Sequence, residues 1–320
     1  MAVYVLRRIG FFILGLAVTS VVVFVTLRVL PGDVAQVIGG VKATPEQLAR
    51  IRTVYGLDQP LASQYLHWLA GLVRLDLGTS LLTNSPIAEQ LGLKFQVTLP
   101  LCALGLLVAI LVGVPLGVFS ALRHNRLVGT LVSVTAQAVA AVPVLWAGLL
   151  LIVVLGKGVG LVGILPSQGF PLNGWEDPWR AVQALILPAV TIGVVEGAVI
   201  LRFVRSAVLE AIPQDYVRTA AAKGLTRTRA VIRHGLPNVS LAVLSVIALQ
   251  AASLITGAVL VEALFALPGV GSMLVADVGN RDLVKVQSEI LTLTALVLSI
   301  GLLVDISHRV IDPRQRRSFA

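Results

Sequence analysis

Six long apolar stretches constrain the fold of this chain more than any other feature of its sequence. Each is long enough for a helix that crosses the hydrocarbon core of a bilayer, which takes about 20 residues. The stretches are residues 9–30, 97–121, 128–155, 186–204, 240–263 and 286–308. With 57% hydrophobic and 13% charged residues, the chain has more apolar surface than one globular core can bury. We therefore predict an all-α integral membrane protein with six transmembrane helices.

The first apolar stretch has the basic start of a signal peptide, because Arg7 and Arg8 precede it. It is too long for the apolar region of such a peptide, and it ends at Arg28 and Pro31 rather than at a small-residue cleavage site. We expect an uncleaved first transmembrane helix within residues 1–30.

Basic residues are distributed unevenly between the segments that connect the apolar stretches. The formal net charge of +9 would suit a nucleic-acid partner, but these residues lie in short segments, as is typical of membrane topology. If the N-terminus is inside the cell, fifteen of the 25 Lys and Arg residues lie on the inner side. They are Arg7, Arg8, Arg123, Arg126, Arg202, Arg205, Arg218, Lys223, Arg227, Arg229, Arg233, Arg309, Arg314, Arg316 and Arg317. We predict cytoplasmic N- and C-termini, a location in the cell inner membrane and no nucleic-acid partner.

The segment 31–96 follows the first helix and is amphipathic rather than low in complexity. Thr44 and Pro45 form a helix start, with threonine at the N-cap and proline at the first helical position. Aromatic and apolar side chains recur at helical spacing within residues 64–73. We predict a small helical extracytoplasmic insertion whose aromatic side chains contact the membrane surface, with an unstructured loop as the alternative. A five-helix core, residues 97–320, follows it.

The inner loop, residues 205–239, is polar and strongly basic. Asp215 is placed to cap a short helix that stops at Gly224, and Thr226 is placed to cap a second one that ends before Pro237. The alanine run in the first helix offers a flat surface that a partner's groove can accept closely. The surrounding basic residues suit an acidic partner or anionic lipid headgroups. These residues alone leave docking to a protein and resting on the bilayer both open.

The end of the inner loop resembles the segment that marks permease subunits of binding-protein-dependent ABC importers. In that segment a glycine precedes nine residues and a Leu-Pro ending, as Gly224 here precedes nine residues and then His234 to Pro237. The run DYVRTAAAKGL is similar to the DYVRTARAKGL of the peptide and nickel branch. Arg218-Thr219-Ala220 stands where the general pattern has Glu-Ala-Ala, and Ala221 stands where an arginine is common.

The resemblance extends along nearly the whole chain, as short motifs in the family's order. They are Leu30–Asp33, Tyr55–Pro60, Leu77–Ser80, Val261 and Glu262 with Phe265, Pro268–Gly271, Arg281 with Asp282, Asp305, and Asp312–Arg314. Each motif is weak alone, but their order and spacing together are specific. The chain resembles the first of the two permease subunits of dipeptide, oligopeptide and nickel ABC importers, the one with the longer outer segment.

The resemblance implies that the chain works with a second permease subunit, two ATP-binding-cassette ATPase subunits, an extracytoplasmic substrate-binding protein and membrane lipid. ATP and Mg would be bound by the ATPases, and this chain would hold no cofactor. The inner-loop helices would dock on an ATPase and switch the translocation cavity by alternating access. The implied coupling residues are Asp215, Tyr216, Arg218, Thr219, Ala220, Ala222, Lys223, Gly224, Leu225, His234, Leu236 and Pro237. Arg218 and Lys223 would supply charge contacts, the alanines close approach and Gly224 a turn.

Two other function classes are an ion-gradient-driven secondary transporter and an integral-membrane enzyme. A secondary transporter favours inverted repeats, and the sequence has no obvious internal repeat. The chain lacks the G-x-x-x-x-G-K-[ST] pattern of a phosphate-binding loop, so ATP would bind to another polypeptide. Its four histidines are scattered and Cys102 is the only cysteine. We therefore expect neither a catalytic residue nor a metal site.

Three polar side chains within the apolar stretches are candidates for the substrate pathway: Glu196, Gln137 and Gln250. An ionisable group at that depth usually faces a cavity or a partner, so Glu196 is placed to contact a substrate amine. The alternative for Glu196 is a hydrogen-bonded carboxyl between helices, and the two glutamines more simply join helices. Glu262 is expected to be structural. The resemblance implies a di- or oligopeptide substrate, with a nickel chelate, glutathione or a glycoside as alternatives.

Overall fold

The structure, a computed structural model, describes residues 2–29, 34–40 and 43–311. Two of the family-like motifs, Leu30–Asp33 and Asp312–Arg314, lie outside the described residues. The described helices are α1 Ala2–Val29, α2 Val34–Gly39, α3 Pro45–Val54, α4 Leu61–Val73, α5 Ile87–Leu122, α6 Leu127–Ala141, α7 Val144–Leu155, α8 Pro178–Ala211, α9 Asp215–Ala222, α10 Arg227–Ala230, α11 Leu236–Leu264, α12 Val270–Asn280 and α13 Leu283–Ile311. A 3₁₀ turn, Gly174–Glu176, precedes α8, and a π-helical turn, Val231–Gly235, joins α10 to α11.

Five described helices are long and apolar enough to cross a bilayer, by their length and composition. They are Val3–Val29, Ile87–Leu122, Pro178–Ala211, Arg227–Leu264 and Leu283–Ser307. They correspond to five of the six predicted stretches, but each extends beyond its stretch at one or both ends, since a helix can continue with polar residues past the hydrocarbon core. For example, α5 begins at Ile87 rather than at residue 97. The prediction of an all-α integral membrane protein is confirmed.

The third predicted span, residues 128–155, is not one continuous helix. α6 and α7 form its two halves, and they are bent by 107° relative to each other. Pro143 causes the break, because the residue before a proline is driven from helical to extended backbone. Val142 accordingly has ψ of 125°. The chain has six crossings if this bent pair is counted as one span.

The most extensive helix contact joins α5 to α8, and glycines make it possible. A Cβ atom on Gly113 of α5 would lie 2.6 Å from the carbonyl oxygen of Gly197 in α8. A Cβ atom on Gly193 of α8 would lie 2.6 Å from Cβ of Val108 in α5. Small residues at such positions let membrane helices approach closely and gain van der Waals contact.

Two buried apolar clusters continue this contact toward the two ends of the helices. The outer cluster joins α5, α7, α8 and α11, and its buried members include Leu101, Ile152, Leu185, Ile192, Leu254 and Phe265. The inner cluster joins the end of α5 and α8 to the inner loop, and its buried members include Ala121, Ile200, Val204, Val208, Ile212, Val217, Ala220, Ala230 and Val231. The core of the chain is therefore built around α8.

α1 lies outside this core and packs along α13. Near one end, Arg8 Nη1 is 2.7 Å from Asp305 Oδ2. Near the other end, Val23 and Leu27 of α1 pack against Val286. The two helices are therefore antiparallel, and the first and last described residues lie at the same end of the protein, as the predicted topology requires.

The predicted insertion after the first helix is helical, as α2, α3 and α4. Thr44 caps α3 as predicted, since its Oγ1 accepts a hydrogen bond from the backbone N–H of Gln47 at 3.3 Å. The aromatic residues expected at the membrane surface contact Phe24 of α1 and are partly exposed. Tyr65 and Trp68 of α4 lie with ring centroids 5.3 and 6.3 Å from that of Phe24.

Replacing Gly113 with alanine tests the α5–α8 contact. We expect Gly113→Ala to destabilise the protein by about 1–3 kcal/mol, because the added methyl group overlaps the backbone of α8. Gly92→Ala is the matched control in the same helix, since nothing lies within 4 Å of its added Cβ. This control should be neutral or stabilise by up to about 1 kcal/mol. Thermal unfolding in detergent measures both, and equal effects would contradict the packing described.

Candidate functional site

The inner loop folds back onto the ends of the helices that carry it. Val217 and Ala220 of α9 and Ala230 of α10 are buried in the inner cluster, against Val208 and Ile212 at the end of α8. Helices as short as α9 and α10 are not stable alone in water, so this burial holds them in place. The loop is attached to α8 as one packed unit.

The prediction that Asp215 caps α9 was wrong. Gln214 is the N-cap residue, in extended conformation, and Asp215 is the first helical residue. The Asp215 side chain is almost fully exposed, with Oδ1 3.9 Å from Nη1 of Arg218. A carboxylate in the first turn still favours the helix through its dipole.

The predicted stop of α9 at Gly224 is confirmed. Gly224 has φ of +97°, which a residue with a side chain rarely adopts. Its N–H donates to the carbonyl of Ala221 at 3.0 Å, and the N–H of Leu225 donates to the carbonyl of Ala220 at 3.3 Å. This pair of hydrogen bonds is the Schellman helix ending, and it directs the chain from α9 toward α10.

Thr226 caps α10 as predicted, but the helix does not end before Pro237. α10 continues through the π-helical turn Val231–Gly235 into α11, and Pro237 lies in the first turn of α11. The wider π turn relieves the clash that a proline ring makes with the preceding helical turn. One helical segment, Arg227–Leu264, therefore leads from the loop into the membrane.

The predicted coupling residues divide by exposure. The exposed ones are Asp215, Tyr216, Arg218, Thr219, Ala222, Lys223, Gly224, His234 and Pro237. Leu225 and Leu236 are half-buried, and Ala220 is buried in the inner cluster. Basic side chains dominate the exposed surface, namely Arg218, Lys223, Arg227, Arg229 and Arg233. The surface of α9 can contact another protein, whereas Ala220 holds the loop itself.

Glu196 and Gln250 lie together on α8 and α11. Gln250 Nε2 donates to the Glu196 carboxylate, and Ser253 Oγ donates to it at 3.0 Å. Glu196 is half-buried and Ser253 is exposed, so one side of this polar group opens onto the surface of the chain. A carboxylate exposed to lipid is costly, which indicates that this surface faces a cavity or another subunit. Gln137 is not part of the group: it is exposed on α6 and contacts Ser133.

Glu262 is structural, as predicted. Its side chain is fully buried at the end of α11, where Thr98 Oγ1 donates to Oε1 at 2.6 Å. The backbone N–H groups of Gly271 and Ser272 donate to Oε2 at 2.7 and 3.1 Å. The carboxylate thus holds the turn between α11 and α12 against α5, with a donor on each oxygen.

A second buried polar group was missed by the sequence reasoning. This outer polar cluster consists of Asp277 of α12, Asp282, and Lys285 and Glu289 of α13. Lys285 Nζ is 2.7 Å from Asp277 Oδ2, and Asp282 accepts a hydrogen bond from Ser80 Oγ at 2.5 Å. Glu289 is completely buried, faces Asp277, and neither of its oxygens accepts a hydrogen bond from the described residues.

Asp282, Lys285 and Glu289 lie close together in the sequence, and Lys285 and Glu289 have i, i+4 spacing. Ser80 comes from a distant segment, so its contact with Asp282 could not be predicted. The cluster joins the outer insertion, through Ser80, to the turn between α12 and α13. Within the described ranges, no three His, Cys, Asp or Glu side chains are placed to hold a metal ion.

These features define a multi-pass helical membrane protein with a basic helical loop packed on one end. Residues 113–317 match the family described as the inner membrane component of binding-protein-dependent transport systems. Residues 1–102 match the N-terminal family of the same membrane components. The chain therefore belongs to this family of inner-membrane permease subunits of ABC importers.

Three relatives resemble the chain over almost its whole length. The dipeptide transport system permease protein DppB of Escherichia coli K12 is 34% identical over 337 residues, covering 98% of both chains. The probable peptide ABC transporter permease protein y4tP of Sinorhizobium fredii is 36% identical over 317 residues, covering 99% of this chain and 100% of the relative. The glutathione transport system permease protein GsiC of Escherichia coli O6:H1 is 35% identical over 313 residues, covering 98% of both.

Substitutions in the outer polar cluster should have unequal effects on stability. Lys285→Met leaves the buried Asp277 carboxylate without its partner, and we expect a loss of about 3–5 kcal/mol. Glu289→Gln keeps the shape of the side chain and places an N–H donor beside Asp277, so we expect little or no loss. Thermal unfolding of the two purified variants checks the contrast. A large loss for Glu289→Gln would mean that the carboxyl group itself is needed.

Proposed function

We propose that this chain forms one half of the translocation pathway of an ABC importer for peptides. A second permease subunit supplies the other half, and two ATPase subunits bind and hydrolyse ATP. A substrate-binding protein delivers the solute from the extracytoplasmic side. The observation that carries this proposal is the exposed, basic surface of α9, held by buried contacts on the same helices that carry Glu196 and Gln250.

The inner loop is built to pass on a displacement. Val217 and Ala220 fix α9 to the end of α8, and Gly235 leads directly into α11. A force applied to the exposed surface of α9 by an ATPase therefore moves both helices rather than deforming the loop. This fits the rigid-body movements by which helix bundles alternate between outward- and inward-facing states.

The hydrogen-bonded group of Glu196, Gln250 and Ser253 lies farther along the two helices that the inner loop joins. Because Gln250 and Ser253 of α11 hold Glu196 of α8, a joint movement of the two helices carries this carboxylate with them. A carboxylate on the pathway recognises a cationic group, and peptides present a terminal ammonium group. The relatives' names, dipeptide, peptide and glutathione, support the same substrate class.

Charge reversal on α9 tests the docking role. We expect the double variant Arg218→Glu, Lys223→Glu to lower substrate-stimulated ATP hydrolysis of the reconstituted importer by at least about tenfold. The reason is that it replaces two exposed positive charges on the proposed contact by negative ones. The double variant Arg227→Glu, Arg229→Glu on α10 is the matched control, since both residues are exposed, basic and outside the coupling set.

Both double variants should assemble in the membrane at wild-type amounts. Equal activity of the α9 and α10 variants would refute docking through α9. Transport by the chain alone in liposomes without ATP would instead favour the secondary transporter. Ala220 and Gly224 are poor test positions, because Ala220 is buried and Gly224 needs a positive φ.

Neutralising Glu196 tests its place in the pathway. Glu196→Gln preserves the size of the side chain and one of its two acceptor oxygens but removes the charge. Uptake of a dipeptide with a free amino group should therefore fall by about tenfold, about 1.4 kcal/mol. Uptake of the N-acetylated dipeptide, which has no ammonium group, should change little in comparison with wild type. Gln137→Leu on α6 is the control outside the polar group. An equal fall for both substrates would assign Glu196 a structural role only.

A further inference from the structure

A polar cavity lies between the outer insertion and the membrane helices, away from Glu196. Its volume is about 630 Å³, and α1, α3, α4 and the start of α13 enclose it. Polar side chains contribute much of its lining, including Arg28, Gln64, His67, Asp76 and Gln287, together with the ring of Trp68. This volume is in the range of sites that hold small organic molecules.

An apolar groove adjoins the cavity and shares two lining residues with it, Phe24 and Arg28. The groove runs between α1 and α4 and has a volume of about 310 Å³. Val21, Val25 and Leu61 contribute to its lining and are all exposed on this chain. α1 lies outside the helical core, so these exposed aliphatic side chains belong at the depth of lipid chains.

Arg28 lies where the cavity and the groove meet. Its guanidinium carbon is 5.3 Å from the centroid of the Phe24 ring, and no carboxylate of the described residues forms an ion pair with it. Trp68 Nε1 and Gln64 Oε1 are buried and have no hydrogen-bond partner among the residues that the structure describes. The cavity thus offers a cation and a donor for an anionic oxygen, and an acceptor for a hydroxyl or ammonium group.

We propose that the cavity and the groove together bind one diacyl phospholipid of the outer leaflet. An acyl chain lies in the groove between α1 and α4, and the phosphate contacts Arg28 and the Trp68 N–H. The glycerol or amine part of the headgroup supplies a donor to Gln64. Only an amphiphile satisfies both an aliphatic groove and a polar cavity that share the same arginine. A free peptide or free phosphate would leave the groove empty.

The bound lipid would fasten the outer insertion to α1. The direct contacts between α1 and α4 are aromatic, through Phe24, Tyr65 and Trp68, with one hydrogen bond between Ser20 and Tyr65 at 2.9 Å. A lipid that fills the adjacent groove adds apolar contact to both helices. The insertion is then held in a fixed position against α1.

Native mass spectrometry of the delipidated importer complex tests this proposal. We expect one dioleoyl phosphatidylglycerol per copy of this chain, and Arg28→Gln should weaken its binding by about tenfold or more. Dioleoylglycerol, which has the chains but no phosphate, should bind at least about tenfold more weakly. Val25→Trp, which fills the groove and leaves Arg28 in place, should weaken phosphatidylglycerol in the same way.

Arg74→Gln is the matched control, because Arg74 is exposed at the end of α4 and does not line the cavity. It should bind phosphatidylglycerol as wild type does, and Arg28→Lys should retain most of the affinity. Thermal unfolding of the lipid-free variants shows whether they fold normally. Unchanged binding by a folded Arg28→Gln variant would overturn the proposal. Full displacement of the lipid by millimolar glycerol phosphate or by a dipeptide would also overturn it, in favour of a phosphate or peptide site.

Discussion

The close contact between α5 and α8 is the constraint on which the rest of the structure depends. In a bilayer there is no hydrophobic driving force between helices, so their association rests on packing at short distance. Gly113 and Gly197 allow that distance, because their backbones meet where side chains would stand. Once α8 is fixed in this way, its outer half forms the centre of the outer cluster and its inner half carries the inner loop.

The same constraint explains why so much of the inner loop is rigid. If α8 could move freely, a displacement of the inner loop would be lost in that movement. The outer and inner clusters instead hold α8 along most of its length. Val217 and Ala230 extend its packed core beyond the membrane-spanning part. The π-helical turn then joins this core to α11 without an intervening flexible segment. Under the proposed function, rigidity here is what lets a partner's movement reach the membrane helices.

Features that depend on a few consecutive residues could be predicted from the sequence. The length of the apolar stretches predicted the membrane spans. Thr44 and Thr226 predicted the starts of α3 and α10, and Gly224 predicted the stop of α9. Pro143 and Pro237 show where prediction from the local sequence fails. Pro143 breaks a helix and bends the chain by 107°, whereas Pro237 is accommodated by a π turn. The difference lies in how neighbouring backbone and tertiary packing respond, which the local sequence does not contain.

Sites that depend on distant residues were predicted only in part. Glu196 and Gln250 were identified singly from their depth, but their pairing comes from the packing of α8 on α11. Asp277 and Lys285 were missed because their ion pair forms only when α12 folds back on α13. Arg28 was used only to mark the end of the first span. Its position between a groove and a cavity depends on where α4 packs.

The buried carboxylates can be sorted by how completely their oxygens are satisfied. Both oxygens of Glu262 accept hydrogen bonds, from Thr98 on α5 and from Gly271 and Ser272 at the start of α12. Its carboxylate is therefore fully used within the protein and is not available to a ligand. Glu196 has both its donors on α11, and its other side opens onto the surface. A carboxylate held from one side is oriented but still able to bind a cation. That asymmetry, rather than depth in the membrane alone, is the physical reason to propose Glu196 for the pathway and a structural role for Glu262.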